Sequence, residues 1–182
     1  MLKNLYLICG KSGSGKTTIS DKLSDVYGYK VLQSYTTRKP RHIKDTDHIY
    51  TNMATYYKHK KNNSIATYTC FDGYYYWSTL EQIANADLYV VDKEGIIRLQ
   101  ASELRPMVVL YIETSLDTRL KRMKLRGDSQ GKIWERIKHD EKAFIEIEHL
   151  ADFIINGENP DVWKTIVNII EKCERAAFTP GI

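Results

Sequence analysis

The run Gly10-Lys11-Ser12-Gly13-Ser14-Gly15-Lys16-Thr17 satisfies the pattern GxxxxGK[ST] without mismatch. Its surroundings give that pattern a physical meaning. Before it, Leu5-Tyr6-Leu7-Ile8-Cys9 is a short apolar run that suits a strand buried on both faces. After it, Ile19, Leu23, Val26 and Tyr27 recur at helical spacing, and Gly28 supplies a C-terminal stop. A strand, a glycine-rich turn and a helix in that order let backbone N–H groups close around a phosphate where a side chain would obstruct them. The helix N-terminus aims its partial positive charge at the same anion. Lys16 is expected on the β- and γ-phosphates, and the Thr17 hydroxyl is placed to ligate Mg²⁺. All eight residues from Gly10 to Thr17 are therefore expected to bind a nucleoside triphosphate, ATP with Mg²⁺. The motif leaves open whether the phosphate passes to water, a protein or a small molecule.

The remaining pattern is that of an α/β chain. Short strands are expected at residues 30–33, 88–91, 107–112 and 153–155. Helices are expected at 79–86, 93–104, 115–126 and 132–150, with a last one to about 176 opened by Asn159 and Pro160 as cap and first helical residue. Residues 34–79, rich in Tyr, Thr, Lys and His, read as an irregular or β-rich insertion, helical only around 53–60. Alternating strands and helices predict a central parallel sheet flanked by helices. The expected organisation is one domain over 1–182: a core of 1–33 and 80–182, an insertion at about 34–79, and a helical lid at about 122–136.

Composition narrows the function classes. With 42% apolar and 27% charged residues the chain has an ordinary globular balance, and 27 Lys and Arg against 23 Asp and Glu leave only +4. That excess suits phosphates but is too small to argue for nucleic acid. Cys9, Cys70 and Cys173 lack any CxxC pair and read as reduced thiols, with Cys9 buried. No HxxxH or HExxH spacing occurs, and no apolar run approaches the roughly 20 residues of a membrane span. These readings place the chain in the cytoplasm, as a monomer or homodimer, with neither membrane nor nucleic acid as partner.

A second basic cluster, Ser34-Tyr35-Thr36-Thr37-Arg38-Lys39-Pro40-Arg41, sets two arginines three apart around a proline. Guanidinium groups grip phosphate oxygens in a planar, two-pronged way, although a basic loop alone is often only solvated surface. Together the two clusters resemble the guanylate kinases, whose phosphate loop is followed by S-x-(S/T)-T-R-x-P-R. The resemblance continues in family order through Gly73-Tyr74-Tyr75-Tyr76-Trp77-Ser78-Thr79, Asp92-Lys93-Glu94-Gly95, Arg122 to Gly127, and Asp152-Phe153-Ile154-Ile155-Asn156. It implies the P-loop kinase fold and transfer of phosphate from ATP to a small phosphorylated acceptor, a nucleoside monophosphate or a sugar phosphate. It further implies that Ser34, Arg38, Arg41 and Tyr76 hold the acceptor's phosphate. Ser78 would sit beside its base or phosphate, and Asp92 near acceptor and metal. Arg122, Arg126 and Arg136 would close on the ATP phosphates, and Asn156 would lie near the adenine. Lys16 and Arg38 would join those arginines in stabilising the migrating group.

Plainer readings exist for several of these residues. Ser78-x-x-Glu81 and Thr79-x-x-Gln82 both match a capping box. The Tyr74–Trp77 aromatics suit strand packing, and Arg119, Arg122 and Arg126 share a helix face that could be merely solvated. The chain also departs from the family. The glutamate that helps read guanine, six residues before the glycine of the tyrosine segment, is replaced by Thr67. A threonine hydroxyl cannot accept the paired hydrogen bonds of the guanine edge as a carboxylate does. His48 stands for a phosphate-binding tyrosine, Ile43-Lys44 for a glycine-glutamate pair, Trp77 for a glycine and Val90 for an aspartate. The expected function is a nucleoside monophosphate kinase of guanylate kinase type. The alternatives are a kinase like that for ribose 1,5-bisphosphate, or a non-catalytic binding module.

Overall fold

The structure, a computed structural model, describes residues 2–40, 43 and 45–178. In chain order, β1 (Leu5–Cys9) leads through the glycine-rich turn into α1 (Lys16–Tyr27), which stops at Gly28 in a left-handed conformation (φ 69°). β2 (Val31–Leu32) follows, then the insertion: β3 (Tyr35–Thr36), β4 (Ile49–Tyr50), α2 (Met53–Lys61), β5 (Ile65–Phe71) and β6 (Tyr74–Thr79). The chain returns through α3 (Leu80–Asn85), β7 (Leu88–Val90), α4 (Lys93–Ser102) and β8 (Met107–Glu113). It ends with α5 (Leu116–Leu125), α6 (Gln130–Ala143), β9 (Phe153–Asn156) and α7 (Val162–Phe178).

The central sheet has the order β2-β7-β1-β8-β9, and every pairing in it is parallel. This is the expected parallel sheet flanked by helices. β1 lies in the middle and is wholly buried, so its side chains alternate between two cores. Leu5, Leu7 and Cys9 pack with Ile96 and Leu99 of α4 and with Phe144 and Ile147. Tyr6 and Ile8 pack with Ile19 and Leu23 of α1 and Ile166 and Ile170 of α7.

The insertion forms a second sheet of order β4-β3-β6-β5. Trp77, where the resembled family has glycine, organises its outer face. It is buried, stacks on Tyr35 at 5.4 Å, meets Tyr56 edge-on at 5.3 Å, and donates from Nε1 to His59 Nδ1 at 3.0 Å. The packing reading of that aromatic run holds for Trp77.

Two helix expectations need correction. The helix expected over 132–150 ends at Ala143, and a separate 3₁₀ turn, Ile147–His149, follows after Glu146 at φ 57°. The turn brings Phe144 and Ile147 under the sheet beside Tyr111, which a straight helix would not allow. The last helix begins at Val162, two residues beyond Pro160. Asn159 Oδ1 accepts from Asp161 N at 2.9 Å, a local turn that competes with helix entry. The three cysteines are free, with Cys9 buried. No helix among the described residues is long and apolar enough to cross a membrane.

One carboxylate fastens the terminal helix to the first strand. Glu174 accepts from Lys3 N at 2.7 Å, Asn4 N at 3.1 Å, Asn4 Nδ2 at 2.7 Å and the Tyr6 hydroxyl at 2.9 Å. Burial opposes its charge, but these donors outweigh burial and hold its pKa below the usual glutamate value. A carboxyl with a depressed folded pKa stabilises above the unfolded pKa, about 4.3, and loses that contribution as pH falls through the folded value. Glu174→Gln should therefore cost about 1–3 kcal/mol in urea unfolding at pH 7. The gap from the parent should narrow as the pH is taken below about 4.

Candidate active site

The glycine-rich turn leaves the C-terminal end of β1, where parallel α/β sheets open their crevices. Gly13 and Gly15 adopt φ of 78° and 99°, a region that disfavours side chains. A Cβ on Gly13 would also meet the Arg119 carbonyl at 2.8 Å. Lys16 folds back over the loop, donating to the carbonyls of Gly10 at 2.6 Å and Lys11 at 3.2 Å. Desolvation lowers its pKa to about 8, with Asp140 opposing the shift. Thr17 is exposed and lines the cleft beside Lys16.

The loop's outward groups are taken up by neighbouring helices. Arg122 donates to the Ser14 carbonyl at 2.9 Å, to Gly13 at 3.4 Å and to Gly157 at 3.0 Å. It thereby ties the phosphate loop to the segment after β9. Lys11 and Ser12 complete the loop, and Asp140 of α6 accepts from Ser12 N at 2.7 Å and Ser12 Oγ at 3.2 Å. Arg119 reaches the same carboxylate at 3.4 Å. The solvated-face reading therefore fails for Arg119 and Arg122, because each is turned inward onto the loop or its support.

Arg126 and Arg136 reach the cleft from the end of α5 and from α6. Asp128 joins them, pairing with Arg126 through two hydrogen bonds and with Arg136 Nε at 3.7 Å. Asn156 ends β9, and its side-chain oxygen accepts from Glu158 N at 2.9 Å. It shapes the loop that follows β9, where Gly157 to Pro160 line the cleft.

Across the same cleft of about 1670 Å³ stands Arg38. Its guanidinium donates to buried Asp45 at 3.3 Å, to the Tyr50 hydroxyl at 3.2 Å and to the Lys39 carbonyl at 2.8 Å. Burial, with a hydrogen bond to Asp45, pushes the Tyr50 phenol up to about 12. Ser34 is hydrogen-bonded to His48 Nδ1 at 2.9 Å, and His48 meets the Tyr76 ring edge-on at 5.3 Å. Ser34, Arg38 and Tyr76 are thus brought together on the insertion. Arg41 lies outside the described residues.

Thr67 and Ser78 face one another across the β5–β6 pairing, and both are buried rather than lining the cleft. Phe71, on the same strand face, meets His139 of α6 edge-on at 4.5 Å and brings the hairpin tip against that helix. Thr79, not Ser78, caps α3: its side chain accepts from Gln82 N while Gln82 Oε1 accepts from Thr79 N. Ser78 Oγ and Thr67 Oγ1 are left buried without a hydrogen bond of good geometry. The Tyr89 phenol, raised to about 12 by burial, has the Ser78 and Ser34 hydroxyls beside it. Asp92 caps α4 by accepting from Gly95 N at 2.7 Å, and burial raises its carboxyl pKa.

Sequence reading missed Asp45, Asp128 and Asp140. Asp140 lies 128 residues from the Ser12 it serves. Asp45 and Asp128, though near Arg38 and Arg126 in the chain, fall outside the patterned segments, where an isolated aspartate carries no pattern.

The phosphate loop fits a triphosphate and a hard cation on its own geometry. Backbone N–H groups, one lysine and the Thr17 hydroxyl converge where Gly13 and Gly15 leave room. Comparison with known proteins places the chain among P-loop proteins. A family profile described as AAA domain matches residues 7–144. The chain is 25% identical to a guanylate kinase from Fusobacterium nucleatum over 92% of this chain and 95% of that one. It is 28% identical to a uridine kinase from Chlamydia pneumoniae over 86% and 83%. The crystal structure of guanylate kinase from Anaplasma phagocytophilum superposes with a TM-score of 0.66 at 22% identity, covering 96% of this chain and 89% of that one.

Lys16 generates a pH prediction. A bound phosphate favours its charged form, so nucleotide binding should raise a pKa that stands at about 8 in the free protein. Titration calorimetry with ATP in EDTA should show proton uptake near pH 8 and affinity that falls between pH 8 and 9.5. Lys16→Ala should bind more weakly and without that slope. An affinity independent of pH over this range would refute the assignment.

Proposed function

This chain belongs to the P-loop family described as AAA domain, and on that premise we propose that it transfers the γ-phosphoryl group of ATP to the phosphate of a small acceptor. The acceptor we favour is a nucleoside monophosphate of the GMP type. The observation that carries this reading is the pair of phosphate grips, Lys16 with its loop and Arg38, facing one continuous cleft. Buried Arg38 Nε and Thr67 Oγ1 on the acceptor side lack hydrogen-bond partners, and such atoms are commonly completed by a ligand or water.

In this reading Lys16 and the N–H groups of Gly13, Gly15, Lys16 and Thr17 hold the β- and γ-phosphates. Arg122, Arg126 and Arg136 offset the charge of the migrating group. Thr17 would hold Mg²⁺ through its hydroxyl, and the ion would supply further charge neutralisation. Ser34, Arg38 and Tyr76 grip the acceptor phosphate, with Arg41 as a further candidate from the sequence. Thr67 and Ser78 face the acceptor's other end, and Asp92 holds α4 beneath it. Asn156 and the loop it shapes border the adenine. No strong general base is needed, because the acceptor's phosphate oxygens are already nucleophilic and alignment dominates. Closure of the segment at about 122–136 as a lid would exclude water as a competing acceptor.

A second reading, a sugar-phosphate acceptor, is favoured by one observation: the buried end of the acceptor side carries the two neutral hydroxyls of Thr67 and Ser78. A coupled ADP-release assay against GMP, dGMP, AMP, IMP, dTMP, CMP, UMP and ribose 1,5-bisphosphate separates the two. A monophosphate nucleotide should be turned over, and turnover of the sugar phosphate alone would overturn the nucleotide reading. ATP binding without turnover of any acceptor would leave a binding module. Lys16→Ala should lower kcat by about 10²–10³-fold, and Arg38→Ala should chiefly raise the acceptor KM. Thr67→Glu should raise selectivity for GMP if guanine is the natural base.

A further inference from the structure

α6 carries an apolar stripe, Ile133 and Ile137, that packs with Met123 of α5. The next position on that stripe is Asp140, whose side chain is only 5% exposed. A carboxylate in an apolar seam is costly unless charge and hydrogen bonds compensate it. Here compensation comes from two directions. Arg119 of α5, itself 7% exposed at the side chain, approaches at 3.4 Å, and Ser12 of the phosphate loop donates its N–H at 2.7 Å and its hydroxyl at 3.2 Å. His139 Nδ1 lies 3.9 Å from the same carboxylate, and Lys16 of the phosphate loop is near enough to feel its charge. Isoleucine would continue the packing but could not take the Ser12 N–H. The aspartate therefore does something that packing does not require.

Arg136 stands one helical turn before Asp140, so the two project toward the same side of α6. Ile133, Arg136, Ile137 and Asp140 are all at least partly buried there, and Arg136 lines the cleft. We propose that Asp140 is a positioning residue that fastens α6 to the phosphate loop and so sets the depth at which Arg136 meets the donor triphosphate. Arg122 makes the corresponding tie from α5, which leaves both helices of the segment referenced to the same loop. The bond is charge-assisted and short, the class that fixes geometry most firmly. The inference rests on the donor half of the reading above, the binding of a triphosphate between the loop and these arginines. It does not depend on which acceptor is used.

The test has a binding arm and a kinetic arm. In the first, the Ser12 amide and the Arg136 Nε–H are followed by ¹⁵N NMR as AMP-PNP and Mg²⁺ are added to the parent, Asp140→Asn and Asp140→Glu. The parent should show a downfield, slowly exchanging Ser12 amide and an Arg136 signal that shifts with nucleotide. In Asp140→Asn, which keeps the shape and an acceptor oxygen, the Arg136 response should be lost while the melting profile still reports a folded protein. Asp140→Glu should recover part of it. In the second arm, with whichever acceptor is turned over, Asp140→Asn should lower kcat by about 10- to 100-fold, with KM for ATP changed less than threefold. The double variant Asp140→Asn/Arg136→Ala should be no slower than Arg136→Ala alone. An unchanged Arg136 response in folded Asp140→Asn, or defects that multiply in the double variant, would overturn the proposal. An Arg136 response to AMP-PNP that depends on Asp140, found without turnover of any acceptor, would refute phosphoryl transfer and leave this assignment standing.

Discussion

A loop that turns its N–H groups inward to meet an anion must turn carbonyls outward, and those carbonyls need donors of their own. That requirement governs much of what surrounds residues 10–17. Lys16 takes the Gly10 and Lys11 carbonyls, and Arg122 takes those of Gly13 and Ser14. On the donor side of the same loop, the Ser12 N–H is accepted by Asp140. The loop is thus suspended between α1, α5 and α6, and its curvature is held from outside. Preorganisation of this kind is what allows a backbone to bind charge without first having to rearrange.

The same bonds explain why helices distant in sequence belong to the site. Three guanidinium clusters meet three aspartates: Arg38 with Asp45, Arg119 with Asp140, and Arg126 and Arg136 with Asp128. The exposed pairing at Asp128 contributes little to stability. The two buried ones are a different matter, because removing either partner would strand a charge away from water. Their effect is to limit where each arginine can go. On the insertion Asp45 and Tyr50 hold Arg38 at the cleft, and across it Asp128 gathers Arg126 and Arg136 at the rim.

The insertion is built to a different plan from the core. Its sheet is mixed, its strands are short, and an aromatic cluster of Tyr35, Tyr56, Tyr75 and Trp77 takes the place of the aliphatic packing around β1. The face opposite Trp77 carries the hydroxyls of Thr67, Tyr76 and Ser78. Trp77 strengthens the outer face where a glycine stands in the resembled family, and Thr67 removes a charge from the inner one. The two departures therefore act on opposite sides of the same hairpin.

Local chemistry made much of this chain legible before its fold was known. The strand, glycine turn and helix around residues 5–28 follow from apolar spacing and from backbone conformations that favour glycine. The alternation behind them implies a parallel sheet. Arg38 and Arg122 could be picked out because they sit in patterned segments. Other features depend on what meets across space. The helix ending at Ala143 rather than Leu150 answers to a core that needed Phe144 and Ile147 beneath the sheet, which no local propensity encodes. Ser78 and Thr79 present equivalent capping signals, and only the strand pairing decided between them. Asp45, Asp128 and Asp140 are single carboxylates without a motif, and each gained its place when the fold brought an unpaired N–H or guanidinium beside it. Residues 10–17 specify a phosphate-binding loop because its requirements are local. What holds that loop, and what it faces, was decided by tertiary structure, because outward-turned backbone groups can be satisfied from any part of the chain that packing carries to them.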